Sequence, residues 1–455
     1  MELLGIALVV FAMYLQTLTF SYVIDDEVKR ADYLYALPAL APHPDFYKTK
    51  PSPWYRLFMV SMHAVNAMLV GAIFGWPAGL LFAVHPLCVN GTAWVTGNYY
   101  ATTAYFTLIA LWMLFHNFVF ASAVIFIFAM QSTITAISVP FVFILAGPVG
   151  GLWWFVGLAG FFTNPKFREG FRRRNERKNE LKTVNPLTWR RSASIVKVLA
   201  FYLRLGLFPQ KLGFFRPMGE GYIRQWVAEV KEYESFNRQF WVDFFTILCF
   251  GFLGLQYNIF GTMWFFITIA AFTPYVLLGQ YVAERYMYLP LIGLCAVAGS
   301  VLVAYPVLLA VCVTTLVYRT LLYIPAWKTI QALYKNDADM LPNSPMALSQ
   351  YAQSVIFEGE EGLMTAYIYL TRAEKLSQRY FEIFANMGVV WILRKRGNDA
   401  IAYIKKAMSL SSPSVTKPVL DALQAQLDSL TKVMPANAVE TKVLSEQPNP
   451  TEARV

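Results

Sequence analysis

Three consecutive carboxylates, Asp25, Asp26 and Glu27, follow directly on an apolar run from Leu3 to Val23. A helix needs about 20 apolar residues to cross a bilayer, so these acids stand at the end of a first span. Carboxylates there are costly unless they face water, a partner or a bound substrate. Two acids side by side can do more, because a like charge or partial burial raises a carboxyl pKa toward the range of a general base. Other polar groups near span ends are few. They are Lys29, Arg30, His43, Asp45 and Arg56 after the first run, His63 and Asn66 on one helical face, His85 before Pro86, Asn98 after Gly97, and the pair Glu284-Arg285. Taken singly each has a structural explanation: His63 or His85 as a hydrogen-bonded core residue, Glu284 and Arg285 as an interfacial pair, tyrosines and tryptophans as belt residues.

The elements that must position these groups are membrane helices. The chain has 455 residues, 57% of them apolar, 16% aromatic and only 15% charged, against roughly a quarter charged in an average protein. The net charge of +10 does not point to nucleic acid, because the basic residues cluster between apolar runs, where Lys and Arg set orientation. Cys88, Cys249, Cys295 and Cys312 all sit inside apolar runs without metal-ligand spacing and read as buried thiols packing as small hydrophobes. The first run lacks a basic leader and a small-residue cleavage site, so it reads as a retained span.

Further apolar stretches cover 57–75, 77–97, 100–118, 119–138 and 139–161, then 195–209, 242–257, 259–278, 287–304 and 306–325. Gly75-Trp76-Pro77 and Gly97-Asn98 read as tight turns. The strongly basic loop from Asn164 to Arg191 belongs on the cytoplasmic side and has the composition to meet anionic headgroups. The expected fold is therefore an all-α polytopic bundle of about 11 transmembrane helices with its N-terminus inside. Residues 25–27, the loop 210–241, the link 279–286 and everything after 326 then share the outer face.

The last part of the chain changes character. Ala366 recurs as Ala400, Tyr369 as Tyr403, Ala373 as Ala407 and Leu376 as Leu410, a period of about 34 residues. The segment from Asn386 to Leu410 resembles a tetratricopeptide repeat, with Gly388, Ala400 and Ala407 where antiparallel helices need small residues. Helix pairs are expected at 345–377 and 380–411 with a closing helix at 415–430, since one pair cannot bury its apolar face alone. The domains expected are thus 1–325 in the membrane, 326–430 as a small tetratricopeptide-like helical domain, and a disordered tail at 431–455.

In order along the chain, Asp25-Asp26, Tyr55-Arg56-Leu57, His63-Ala-Val-Asn-Ala-Met-Leu, Phe82-Ala-Val-His-Pro-Leu, Ala93-Trp-Val, Tyr202-Leu-Arg-Leu-Gly-Leu-Phe-Pro and Val282-Ala-Glu-Arg-Tyr-Met-Tyr-Leu-Pro together resemble the transmembrane-and-tetratricopeptide-repeat (TMTC-type) glycosyltransferases of the GT-C superfamily. The resemblance spans nearly the whole chain. It implies a donor that is a polyprenyl- or dolichyl-phosphate sugar, often mannose, and a protein hydroxyl as acceptor on the outer face. A carboxylate in the first outer loop takes the acceptor's proton, the oxygen attacks the anomeric carbon with inversion, and lipid phosphate leaves. Asp25 or Asp26 would be the base, with Asp26 preferred. Arg285, then Arg56 and Arg30, would meet the leaving phosphate, because a guanidinium suits bidentate phosphate contact. Glu284 would brace an arginine, and His85 and Asn98 would line the headgroup pocket. Neither a metal nor another cofactor is implied, and the partners are the lipid donor, membrane lipids, and an acceptor or partner subunit held by the repeats. The membrane would be the inner one of a bacterium or the endoplasmic reticulum of a eukaryote, with the repeats periplasmic or luminal.

The chain departs from the family pattern at two places. An acid commonly follows the His-Pro motif, where this sequence has Leu87-Cys88-Val89-Asn90, and charged residues commonly follow Gly97, where it has Asn98-Tyr99-Tyr100. These changes fit a different sugar or acceptor. They equally fit a non-catalytic scaffold or assembly subunit that works through its repeats. A transporter would instead show charges in the middle of several spans and inverted repeats, and neither is evident.

Overall fold

The computed structural model describes residues 2–23, 50–132, 136, 138–145, 159, 191–210, 212–214, 236–272, 283–378, 380–410, 421 and 424–429. Among them every regular element is a helix. They divide into two compact units, one ending at Met340 and one beginning at Leu341. The basic loop, most of the loop 210–241 and the closing segment 415–430 lie largely or wholly outside the described residues.

Five helical stretches in the first unit are long and apolar enough to cross a membrane: Glu2–Thr19, Pro53–Phe74, Arg238–Tyr257, Glu284–Leu302 and Pro306–Trp327. Two of them are hardly covered by protein, with 17% of the Arg238–Tyr257 window and 22% of the Pro306–Trp327 window buried. Their outward faces present Phe245, Phe252, Val307 and Val311, an apolar surface that water does not tolerate at this extent and lipid does. Cys249 is on such a face and is exposed, unlike the buried Cys88 and Cys295. The expectation of four buried thiols therefore fails at Cys249, because an apolar run in a membrane protein does not distinguish a lipid-facing side from a core-facing one.

The helices used below are α1 (Glu2–Tyr14), α2 (Pro53–Phe74), α3 (Trp76–Val84), α4 (Val89–Ala93) and α5 (Asn98–Phe115). The turn from α2 to α3 is made by Gly75 at φ +96°, a left-handed conformation that glycine adopts without steric cost. The turn lays α3 back on α2 so tightly that a Cβ on Gly79 would lie 2.7 Å from the Ala67 carbonyl oxygen. The stretch 77–97 is not one spanning helix. It breaks at His85-Pro86, passes through a 3-10 turn at Pro86–Cys88 and resumes only as the five residues of α4, because proline supplies no N–H and restricts the residue before it.

A buried polar cluster locks these helices to Tyr288–Leu302. The Tyr288 hydroxyl lies 2.8 Å from His63 Nδ1, and Asn66 Nδ2 donates to it at 3.2 Å and to the Ala101 carbonyl at 2.9 Å. His63 Nε2 lies 3.2 Å from the Ala83 carbonyl, which can only accept, so Nε2 carries the proton and Nδ1 accepts from the tyrosine. His63 is thus a hydrogen-bonded core residue. The first unit also runs past residue 325, because Trp327, Ile330 and Leu333 belong to its core.

The second unit contains α-helical segments Pro345–Val355, Gly359–Leu376, Phe381–Leu393 and Gly397–Leu410. Links of a few residues make each consecutive pair antiparallel. Ala366, Ala373, Ala400 and Ala407 are all buried, and Gly388 lets Ile404 approach where a Cβ would stand 2.7 Å from Ile404 Cγ1. Asn386 Nδ2 donates to Ser349 Oγ at 3.3 Å, joining the first helix of one pair to the first helix of the next.

Candidate functional site

The end of the first span is fixed from three directions. Pro53 begins α2, and one turn later the guanidinium of Arg56, wholly buried, donates from Nη2 to the Ser21 carbonyl at 2.9 Å and the Phe20 carbonyl at 3.4 Å, and from Nη1 to the carbonyl of Ala93. The Ser21 N–H donates to the Lys328 carbonyl at 3.0 Å. A guanidinium can be buried when its fork of donors is matched in this way. Arg56 thereby ties the strand-like exit Phe20–Val23 to the end of α4.

Next to α4, over the ring of Trp94, stands Arg285, half-buried in the 3-10 turn Glu284–Met287. Its Cζ lies 5.0 Å from the ring centre of Phe214, 5.1 Å from that of Tyr286 and 5.9 Å from that of Trp94, within the range of cation–π attraction. The cage is held by two buried carboxyls. Glu284 accepts from the Gly213 N–H at 2.7 Å and from the Tyr323 hydroxyl at 3.3 Å, while Asp337 accepts from the Phe214 N–H at 2.8 Å. Asn336 Nδ2 donates to the Leu212 carbonyl at 2.9 Å. Phe214 then meets Trp94 edge-on at 5.1 Å and Trp327 at 5.8 Å. From the far side, the Tyr202 hydroxyl lies 3.2 Å from the Ala283 N–H, which donates to it.

His85 is committed to the backbone. Its Nδ1 accepts from the Leu87 N–H at 3.2 Å, and Nε2 donates to the Gly206 carbonyl at 2.9 Å, so it caps the chain break and pins it to the helix Arg191–Leu207. Asn98 begins α5 and is buried. Its neighbour Gly97 is obligatory, since a Cβ there would collide with the Trp94 ring and the Asn90 carbonyl oxygen.

Of the residues expected to act, Arg56 and Arg285 meet at Ala93-Trp94, one on the Ala93 carbonyl and one over the Trp94 ring, Asn98 follows four residues later at the start of α5, and His85 precedes α4 at the chain break. Asp25, Asp26 and Arg30 lie outside the described residues. Glu284 turns out to organise Gly213 and Tyr323. Reading the sequence missed Asp337, Phe214 and Trp327, while the Ala93-Trp94-Val95, Tyr202 and Val282-Ala-Glu-Arg-Tyr motifs gave a signal of the other parts of the cage. Nothing local marks Asp337, whose partner Phe214 is far back along the chain. Among the described residues no group of three His, Cys, Asp or Glu side chains is placed to hold a metal ion. Chemically, two guanidinium groups flank Ala93-Trp94, one on its backbone and one on its ring, in a low-dielectric setting where a fixed positive charge acts strongly on an anion.

Fold and site define a helical membrane protein with a small helical second unit and a cationic, aromatic-walled centre near the end of its first span. Set against family models, curated proteins and solved structures, the chain matches none of them.

Proposed function

We propose that this chain is a membrane glycosyltransferase of the GT-C kind that moves a hexose from a polyprenyl- or dolichyl-phosphate donor to a protein hydroxyl on the outer face of the membrane. The observation that carries this reading is the caged Arg285, set beside the same segment that Arg56 binds to the exit of the first span. Asp25 and Asp26 follow buried Val23 by two and three residues, which limits their distance from it to about 7 and 11 Å of chain. In the reaction, one of these carboxylates takes the proton of the acceptor hydroxyl. The acceptor oxygen bonds to the anomeric carbon with inversion as the carbon–oxygen bond to phosphate breaks. Arg285 takes up the charge of the departing lipid phosphate, with Arg56 adding to the field. The remaining apolar stretches complete a bundle of about 11 spans. The paired helices of the second unit serve as tetratricopeptide-like repeats that hold the acceptor or a partner subunit.

The double variant Asp25→Asn/Asp26→Asn tests the reading: it should abolish transfer from a radiolabelled donor while the protein still inserts and elutes as a folded species. Full activity in that variant removes the base from the scheme. One observation favours a second reading, a non-catalytic membrane scaffold: His85 and Arg56 give their side-chain nitrogens to backbone groups. A stoichiometric complex that survives detergent and carries no polyprenyl phosphate would support that alternative.

A further inference from the structure

The helix Arg238–Tyr257 carries two charged residues, and the structure treats them oppositely. Asp243 is buried and accepts from the Arg204 guanidinium and, at 2.8 Å, from Gln239 Nε2. Arg238, at the first residue of the span, is exposed and has no hydrogen bond or ion pair among the described residues. It heads an open groove of about 630 Å³ whose wall on this helix is Trp241, Val242, Phe245, Thr246 and Cys249. Those positions recur every three or four residues and so form one stripe. Protein leaves this helix largely bare, with 17% of its window buried. From Arg238 to Cys249 the helix axis advances about 16 Å at 1.5 Å per residue. Half of the roughly 30 Å hydrocarbon core is about 15 Å. The groove is as deep as one leaflet.

We infer that this groove binds one anionic phospholipid, with its phosphate on Arg238 and an acyl chain along Trp241, Phe245 and Cys249. A protein helix seated here would follow the stripe through both leaflets, whereas the groove stops at Cys249, near the midplane. Trp241 lies one turn inside Arg238, where an indole meets the headgroup boundary. The sign of the headgroup follows from the charges. A guanidinium makes charge-assisted hydrogen bonds to phosphate, while the single carboxyl of this helix is already matched inside the protein. A net negative headgroup therefore gains from Arg238, and the helix holds no free acid for the ammonium of a zwitterionic one. The inference needs only the membrane span and does not rest on the glycosyltransferase reading.

The test is photocrosslinking of the full chain in phosphatidylcholine vesicles doped with one of two probes, phosphatidylglycerol or phosphatidylcholine, each carrying a diazirine on the same acyl chain. By peptide mass spectrometry the glycerol probe should label residues 241–249 about fivefold more than the choline probe, the effect of one arginine at a charged surface. The exposed residues Val307 and Val311 should be labelled alike by both. Arg238→Gln should remove the excess at 241–249 and Arg238→Lys should keep it, with thermal unfolding confirming that each variant is folded. Equal labelling of 241–249 by the two probes, or an excess that survives in folded Arg238→Gln, overturns the site. Silence of 241–249 toward both probes also overturns it, since that face would then be covered by protein. Displacement of the glycerol probe by an equimolar amount of polyprenyl phosphate overturns it too, and gives the groove to that lipid instead.

Discussion

Glu284 makes the most quantitative claim of the structure, that one buried carboxyl sets the wall of the Arg285 cage. Replacing it by alanine strands two buried donors, the Gly213 N–H and the Tyr323 hydroxyl. At about 1–3 kcal/mol for each stranded donor, the loss is about 2–6 kcal/mol. Tyr323→Phe strands no donor and removes one bond, so it should cost only about 1 kcal/mol. In the Glu284→Ala background, Tyr323→Phe removes a stranded hydroxyl and should cost nothing further, a coupling of about 1 kcal/mol between residues in contact. For a unit of this size 1 kcal/mol corresponds to roughly 1–2 °C, so Glu284→Ala should melt several degrees lower in detergent. The local readout is amide hydrogen exchange at Gly213 and Phe214. Protection of Gly213 should fall sharply in Glu284→Ala and hold in Tyr323→Phe. If Glu284→Ala leaves both the melting temperature and the Gly213 protection as they were, the carboxyl does not organise the cage and the reasoning is wrong.

Other consequences follow from the same packing. Arg56→Met should lower stability by about 3–5 kcal/mol, measured as loss of folded protein in detergent, because three buried carbonyls lose their donor. Gly79→Ala should disrupt the α2–α3 crossing, since its Cβ would stand 2.7 Å from backbone atoms, whereas Gly5→Ala meets nothing within 4 Å and should be neutral or stabilising by about 0.5–1 kcal/mol in a helix interior. In the second unit, burial pushes the Glu382 carboxyl up to about 8 from its ordinary 4.5, with Oε2 shut off from water and hydrogen-bond partners. Its contribution to stability is complete below 4.5 and is lost as pH rises to about 8, because over that window the folded state holds a proton that the unfolded state has released. Hydrogen exchange in the helix Phe381–Leu393 should therefore speed up across that window beyond its intrinsic pH dependence in the wild type and lose the excess in Glu382→Gln.

The helical membrane character was legible because apolar runs long enough to span are rare outside membranes, and the turns at Gly75 and Gly97 were legible because glycine there has no substitute. The break inside 77–97 was written at Pro86, yet the uniform apolarity around it reads as one span; only the His85 cap and the short α4 show how the chain is redirected. Arg56 and Arg285 could be picked out as rare charges near hydrocarbon, but not what each of them grips. That depends on carbonyls at Phe20, Ser21 and Ala93 and on rings at Trp94 and Phe214, which sequence position does not bring together. Asp337 was invisible for the same reason, since its partner's amide is a backbone group that any residue would offer.

The central claim is that a lipid phosphate is handled at Arg285, and photocrosslinking addresses it most directly. A polyprenyl phosphate bearing a photoreactive group beside the phosphate, irradiated with the full chain and followed by peptide mass spectrometry, should label the segments 90–100 and 283–290, with labelling lost in Arg285→Ala. Labelling confined to the outward face of Arg238–Tyr257, or unchanged in Arg285→Ala, would contradict the account.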